Sequence, residues 1–261
     1  MKKNELTICG LAAVRARWQR EPAALLRLFF DEPTGRKIGP LCRVLAASRR
    51  VYRCVPPAEL EKIAGTKHHG GIVAVVVAPE LRAPTAREVA AWATRRAPLL
   101  LLDRVGNPHN LGALARTAAF FGVHHLVLPA DPTAARPNDA AYRVAEGGLE
   151  ALTVWSVPRL DDFIRRLTAA GYEVVGASTR GGRPEATGRA EVPLALVLGN
   201  EEHGLAPEVA AACSQLVTLP GTDAVESLNV SVAGAVLLWE LVARRAPAAP
   251  VAPRPSGKPR R

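Results

Sequence analysis

Three short segments gather polar side chains and glycines directly behind apolar runs, and each could do chemistry. The first is Asp103-Arg104-Val105-Gly106-Asn107-Pro108-His109-Asn110-Leu111-Gly112, with Arg116 following. Asn110 is a natural helix N-cap, Gly112 permits close backbone approach, and Arg116 is a cation in the helix's first turns, which a solvated face alone could explain. The second is Leu198-Gly199-Asn200-Glu201-Glu202-His203-Gly204-Leu205. Glu201, Glu202 and His203 are metal-ligand types. Three adjacent residues on one turn rarely converge on one ion, however, and no second cluster supports them, so no metal is expected. The third runs from Leu219-Pro220 to Ser227-Leu228-Asn229-Val230-Ser231, where Ser227 and Asn229 can cap the helix that follows. Neither G-x-G-x-x-G nor G-x-x-x-x-G-K-[ST] occurs in the first segment. This argues against a dinucleotide fold, a nucleotide-hydrolysing P-loop and the common glycine-rich methyltransferase fold.

The elements that must position these segments alternate from Pro98 onward. Strands are expected at Leu99–Asp103, His125–Leu128, Thr153–Ser156, Glu173–Ser178, Leu194–Leu198 and Leu216–Leu219. Helices are expected at Leu111–Phe121, Asn138–Glu146, Arg159–Ala170, Ala206–Ala212 and Asn229–Ala243. Such alternation predicts an α/β fold with a parallel sheet covered on both faces and ligands at the carboxyl ends of its strands. The loops after Asp103, Leu198 and Leu219 therefore face one end. The last helix is apolar nearly all round, so it belongs in a core or an interface. Residues 5–78 read as a smaller α/β unit, with helices at Leu11–Arg20, Gly35–Ser48 and Pro57–Ala64 and strands at Leu25–Phe30, Val51–Val55 and Ile72–Ala78. The expected organisation is a domain at 1–79, a linker at 80–97 with a helix capped by Thr85, a second domain at 98–246, and a disordered basic tail at 247–261.

With 48% hydrophobic and 22% charged residues the chain is an ordinary globular composition rather than a disordered one. No apolar stretch approaches the ~20 residues a bilayer needs, and the charged start does not resemble a signal peptide, so a cytoplasmic protein is expected. Cys9, Cys42, Cys54 and Cys213 form no C-x-x-C pair and are expected as reduced, half-buried thiols. Charge is segregated. Residues 1–79 hold 14 Lys and Arg against 6 Asp and Glu, net +8, whereas residues 80–246 hold 16 against 18, net −2. The asymmetry points to a polyanion met by the N-terminal part.

Together the three segments resemble the motifs of the SpoU (TrmH) family of RNA ribose 2′-O-methyltransferases, in the SPOUT superfamily. The resembling residues are Asn110-Leu111-Gly112 with Arg116-Thr117, Leu198 to Leu205, and Leu219-Pro220 with Ser227-Leu228-Asn229-Val230-Ser231-Val232-Ala233. Thr66-Lys67-His68-His69-Gly70-Gly71-Ile72-Val73-Ala74 is similar to the stretch closing that family's substrate-binding domain, which is like ribosomal protein L30e. The resemblance implies a trefoil-knot α/β methyltransferase domain, a homodimer and an RNA substrate, ribosomal or transfer. It implies S-adenosylmethionine as cofactor, held by Leu198, Gly199, Leu219 and Leu228. It further implies that Arg116 stabilises the developing alkoxide and a phosphate, that Asn110 orients Arg116 or the ribose, that Glu201 anchors that arginine or its loop, and that Ser227 and Asn229 shape the pocket and bind RNA or Arg116. Glu202, where glycine is common, and the charged Asp223 and Glu226 depart from the family pattern. A non-catalytic RNA-binding or ribosome-assembly factor keeping the knotted fold would share most of these motifs. The complete polar set argues against that alternative.

Overall fold

The computed structural model describes residues 5–184, 192–222 and 224–244, so Asp223 and the expected tail at 247–261 lie outside the described residues. The N-terminal unit comprises β1 (Glu5–Cys9), α1 (Leu11–Arg20), β2 (Leu25–Phe30), α2 (Glu32–Gly35), α3 (Gly39–Ala47), β3 (Val51–Cys54), α4 (Pro57–Ala64) and β4 (Ile72–Val77). Its sheet has the order β1-β4-β2-β3. The β-branched run of β4 is central and buried, pairing antiparallel with both β1 and β2. β1 has no counterpart among the expected strands. Five residues with a single apolar alternation carry little local signal, and the strand exists through its pairing with β4. The helix expected over Gly35–Ser48 is α3, which starts at Gly39, and a short helix not expected from the sequence, α2, precedes it, with Asp31 capping α2 through the Thr34 amide.

The second unit begins with α5 (Ala86–Thr94), which the sequence places in a linker. A capping box closes its start: Thr85 accepts from the Glu88 amide and Glu88 accepts from the Thr85 amide. Its Val89 and Trp92 are buried in the core on one face of the larger sheet. Next come β5 (Leu99–Leu102), α6 (Pro108–Phe120), β6 (His125–Pro129), α7 (Asp139–Ala145), α8 (Gly148–Ala151), β7 (Thr153–Val157), α9 (Leu160–Ala169) and β8 (Glu173–Ala177). They are followed by β9 (Leu194–Leu198), α10 (Pro207–Ala212), β10 (Gln215–Val217) and α11 (Val230–Leu238), which continues as a π-helical turn to Ala243. All six strands run parallel in the order β10-β8-β9-β5-β6-β7. β5 is buried on both faces, as four consecutive leucines require: Leu100 and Leu102 join one core, Leu99 and Leu101 the other.

The strand order decides where a ligand can sit. The chain leaves β5 toward β6 and β7, then returns on the opposite side to β8 and β9, so the crevice lies beyond the carboxyl ends of β5 and β9. The two units share one apolar core that runs from Ile8, Leu28 and Ile72 to Leu100, Leu111 and Leu196. Across their junction the Thr7 amide donates to Asp139 Oδ1 at 3.0 Å. Arg20 reaches over to donate to the carbonyls of Glu150 and Leu152 and to Thr153 Oγ1.

Candidate functional site

The loop after β5 is anchored before it can act. The Asp103 amide donates to the Leu198 carbonyl at 2.7 Å, and buried Asp103 accepts from the Ala206 amide at 2.7 Å. Asn200 ties the β9 loop to the β5 loop by donating to the Arg104 carbonyl at 2.9 Å. The same residue closes its own turn, exchanging backbone bonds with Gly204 and accepting from the amides of Glu202 and His203. Gly199 lies inside this turn. A Cβ there would stand 2.3 Å from the Gly204 carbonyl carbon, so only glycine allows the two backbone segments to meet.

Helix α6 starts three residues earlier than the sequence suggests. Asn107, not Asn110, is its N-cap, accepting from the His109 amide at 2.8 Å, and Pro108 occupies the first turn. Asn110 is thereby released from capping and becomes a side-chain donor. Its Nδ2 donates to Glu201 Oε1 at 2.7 Å, while Glu201 Oε2 accepts from the Gly106 amide at 3.2 Å. Asn229 Nδ2 in turn donates to Asn110 Oδ1 at 3.2 Å. Asn229 also caps α11 by accepting from the amide and hydroxyl of Ser231. One continuous relay, Glu201–Asn110–Asn229–Ser231, therefore joins all three segments. Gly112, two residues on from Asn110, permits the close packing of α7: a Cβ would stand 2.4 Å from the Ala141 carbonyl oxygen.

Arg116 does not join the relay. It pairs with Glu146 at 3.1 Å, both side chains more than half exposed. The roles implied for Glu201 as its anchor and Asn110 as its orienter are not the contacts formed. The reason is helix phase: six residues at about 100° each leave Arg116 about 120° around α6 from Asn110. Arg116 shares its face instead with Phe120, four residues on, whose ring is 78% exposed.

Beside the relay lies a cavity of ≈ 970 Å³. Leu198, Gly199, Leu219 and Leu228 line it, as do Glu201, Ser227 and Asn229; Asn110, which reaches it only through Glu201 and Asn229, and Arg116 do not. Ser178, Thr179 and Arg180 line it too, from the end of β8. No motif in the sequence singles out these three; the strand order puts their loop next to that of β9. Exposed Glu226 is met by Arg180 at 3.3 Å, so its added charge is neutralised at the rim. Glu202 is exposed and does not line the cavity. No group of three or more His, Cys, Asp or Glu is placed to hold a metal among the described residues. The cysteines are free thiols; Cys54 is exposed rather than half-buried, and burial pushes Cys9 up to about 11. None of the helices among the described residues is long and apolar enough to cross a membrane.

Comparison with known proteins matches these features. The profile of the SpoU rRNA Methylase family matches residues 97–239, and that of the RNA 2′-O ribose methyltransferase substrate-binding domain matches residues 7–82. The chain is 34% identical to the uncharacterized tRNA/rRNA methyltransferase YfiF of Escherichia coli O157:H7, over 92% of this chain and 68% of that one. It is 34% identical to the 23S rRNA (guanosine-2′-O-)-methyltransferase RlmB of Pectobacterium atrosepticum, over 91% and 98%. Its fold is that of the AdoMet-bound rRNA methyltransferase from Sinorhizobium meliloti, with a TM-score of 0.78 at 23% identity over 95% of this chain and 90% of that one. With both domains matched in order and the three motif loops converging on one cavity, the chain belongs to the SpoU rRNA methylase family.

Proposed function

We propose that this protein transfers a methyl group from S-adenosylmethionine to a ribose 2′-hydroxyl of ribosomal or transfer RNA in the cytoplasm. The observation that carries the reading is the convergence of the relay and the cavity: Glu201 and Asn229 belong to both. The cavity suits the cofactor. Its volume is within the range of small-molecule sites, Leu198, Ala233 and Leu237 offer an apolar floor, and Gly199 leaves backbone uncovered where any side chain would collide. Leu219 and Leu228 add backbone groups on the opposite wall.

When bound, the cofactor supplies an electrophilic methyl on a sulfonium, whose leaving group needs no further activation. The protein's residues then have to align the 2′-hydroxyl, exclude water and help its proton leave. Asn110 is held rigid by Glu201 and Asn229, so it can orient the ribose without paying rotamer entropy during the reaction. Ser227 lines the cavity and shapes its wall. Arg116 serves as a cation for the developing alkoxide or a neighbouring phosphate.

A homodimer completes this arrangement. Helix α11 buries Gly234, Leu237 and Leu238 but exposes Val232, Val236 and Trp239, a stripe at helical spacing that extends toward exposed Phe120. The sequence requires such a helix to be covered, and a second copy of the chain covers the half that the monomer leaves open. Arg116, on the face of Phe120, then stands beside the dimer surface. The N-terminal unit, at net +8, supplies salt-dependent affinity for the RNA backbone. Calorimetric titration with S-adenosylmethionine and with S-adenosylhomocysteine tests the reading. Binding at about one site per chain is expected, and a folded protein that binds neither would overturn it in favour of an RNA-binding factor without catalysis.

A further inference from the structure

The two edges of the N-terminal sheet are treated differently. The β1 edge is covered, since α7 packs on it and Asp139 takes the Thr7 amide. The β3 edge is open, with all four residues of the strand exposed. Register and packing settle which side each β3 residue lies on. Tyr52 pairs with Leu28, whose face is covered by Leu41 and Leu45 of α3, while Arg53 pairs with Phe29, whose face is covered by Leu60 of α4. Tyr52 therefore lies on the α3 side of the margin, and Val51 and Arg53 on the other.

This margin is strongly basic. Residues 33–58 hold six Lys and Arg and no Asp or Glu. Arg50 is used structurally, donating to the carbonyls of Pro22 and Leu25 and so fixing the turn into β3. Arg43, Arg49 and Arg53 are exposed and have no ion-pair partner among the described residues. Among them Val44, Val51 and Tyr52 are 42%, 43% and 40% exposed. Protecting an open strand edge from self-pairing needs little more than one charge. Free guanidinium groups interleaved with an accessible aromatic ring match what a single nucleic-acid strand offers: phosphates to the cations and a base face to the ring. A peptide adding to the edge would need no such excess of positive charge.

We propose that the α3–β3 margin is the surface on which the N-terminal unit holds an unpaired stretch of its RNA substrate, with Tyr52 stacking on a base, Arg43 and Arg49 contacting phosphates, and Arg53 meeting a phosphate from across the open strand edge. The inference rests on the methyltransferase reading for the identity of the RNA as substrate, but its test does not. Full-length protein is titrated with a labelled oligouridylate of about 12 nucleotides and with duplex RNA of similar length, across a salt series. Tyr52→Ala weakens oligouridylate binding roughly tenfold, and Tyr52→Phe, which keeps the ring, stays within about twofold. The triple variant Arg43→Gln, Arg49→Gln, Arg53→Gln flattens the slope of log affinity against log salt by about 2. Circular dichroism and S-adenosylmethionine binding like those of the unaltered protein show that the variants are folded. Unchanged affinity and slope in these variants overturn the proposal, as does failure of the unaltered protein to bind oligouridylate. Self-association that Tyr52→Ala abolishes also overturns it, assigning the margin to a second copy. If the variants behave as expected but no form of the protein binds S-adenosylmethionine, the RNA surface stands and the methyltransferase reading falls.

Discussion

Asn110 and Arg116 sit on one helix and are expected to fail differently. Asn110 links Glu201 to Asn229, so Asn110→Ala leaves a carboxylate oxygen and an amide without their partners. Glu201 and Asn229 are exposed and water can re-satisfy them, so the loss is about 0.5–1.5 kcal/mol of stability, together with a fall in turnover, and thermal unfolding alongside methyl-transfer assays reads both. Arg116 lines no part of the cavity and, among the described residues, pairs with an exposed Glu146. Arg116→Ala should leave S-adenosylmethionine affinity and stability near those of the unaltered protein while methyl transfer drops about 100-fold. Calorimetry showing equally weakened cofactor binding would remove Arg116 from the reaction and return it to a structural role. The types of these residues are legible in the sequence; their partners are not. Pro108 is the local signal that favours Asn107 over Asn110 as the cap, because proline suits the first helical turn.

At the scale of elements, the cavity depends on how tightly two loops approach. The turn after β9 returns on itself through Asn200 and Gly204, and Gly199 has backbone where a Cβ would go. Gly199→Ala cannot be relieved by rotating a side chain, because the atoms it meets are main chain. The turn must open, and S-adenosylmethionine affinity should fall at least tenfold while the far-ultraviolet circular dichroism spectrum is retained. Tight binding by this variant would mean that the turn does not form the cofactor's wall. The strands and helices flanking this turn are readable from apolar runs and spacing. β1 is not, since a short strand draws its stability from the partner it pairs with.

For the whole molecule, the junction between the two units contains a buried carboxyl. Glu150 of α8 is 4% exposed, and burial pushes it up to about 7, with Arg17 and Arg20 of α1 and Tyr142 of α7 around it. The unfolded chain ionises this group near its ordinary value of 4.5, whereas the folded chain keeps the proton to about 7. Its stabilising effect is therefore complete below about 4.5, declines as pH rises toward about 7 and is level above. At about 1.4 kcal/mol per pH unit the decline is of order 3 kcal/mol. Glu150→Gln does not titrate, so denaturant unfolding at pH 5 and pH 8 should show a smaller loss for the variant than for the unaltered protein. Equal losses would place the titrating group elsewhere. A second prediction concerns assembly. Trp239→Glu puts a charge in the middle of the exposed stripe on α11, and sedimentation should show a dimer becoming a monomer. A variant that sediments as the unaltered protein does would free this face from dimer contact.

The sequence by itself determined the alternation of strands and helices, the burial of β5 and β9, and the gathering of three polar loops at one end of a parallel sheet. These follow from side-chain periodicity and composition, which are local properties of the chain. Only the tertiary structure decided which side chains meet. The relay joins residues 91 and 119 positions apart, and its members are brought together by the return of β9 to the side of β5. Helix phase then turned Asn110 toward that relay and Arg116 away from it. The open β3 edge follows from strand order within the N-terminal sheet, and the β1 edge is covered only once α7 of the second unit docks on it. No window of the sequence contains strand order, helix phase or docking, because each is set by contacts between segments that are distant along the chain.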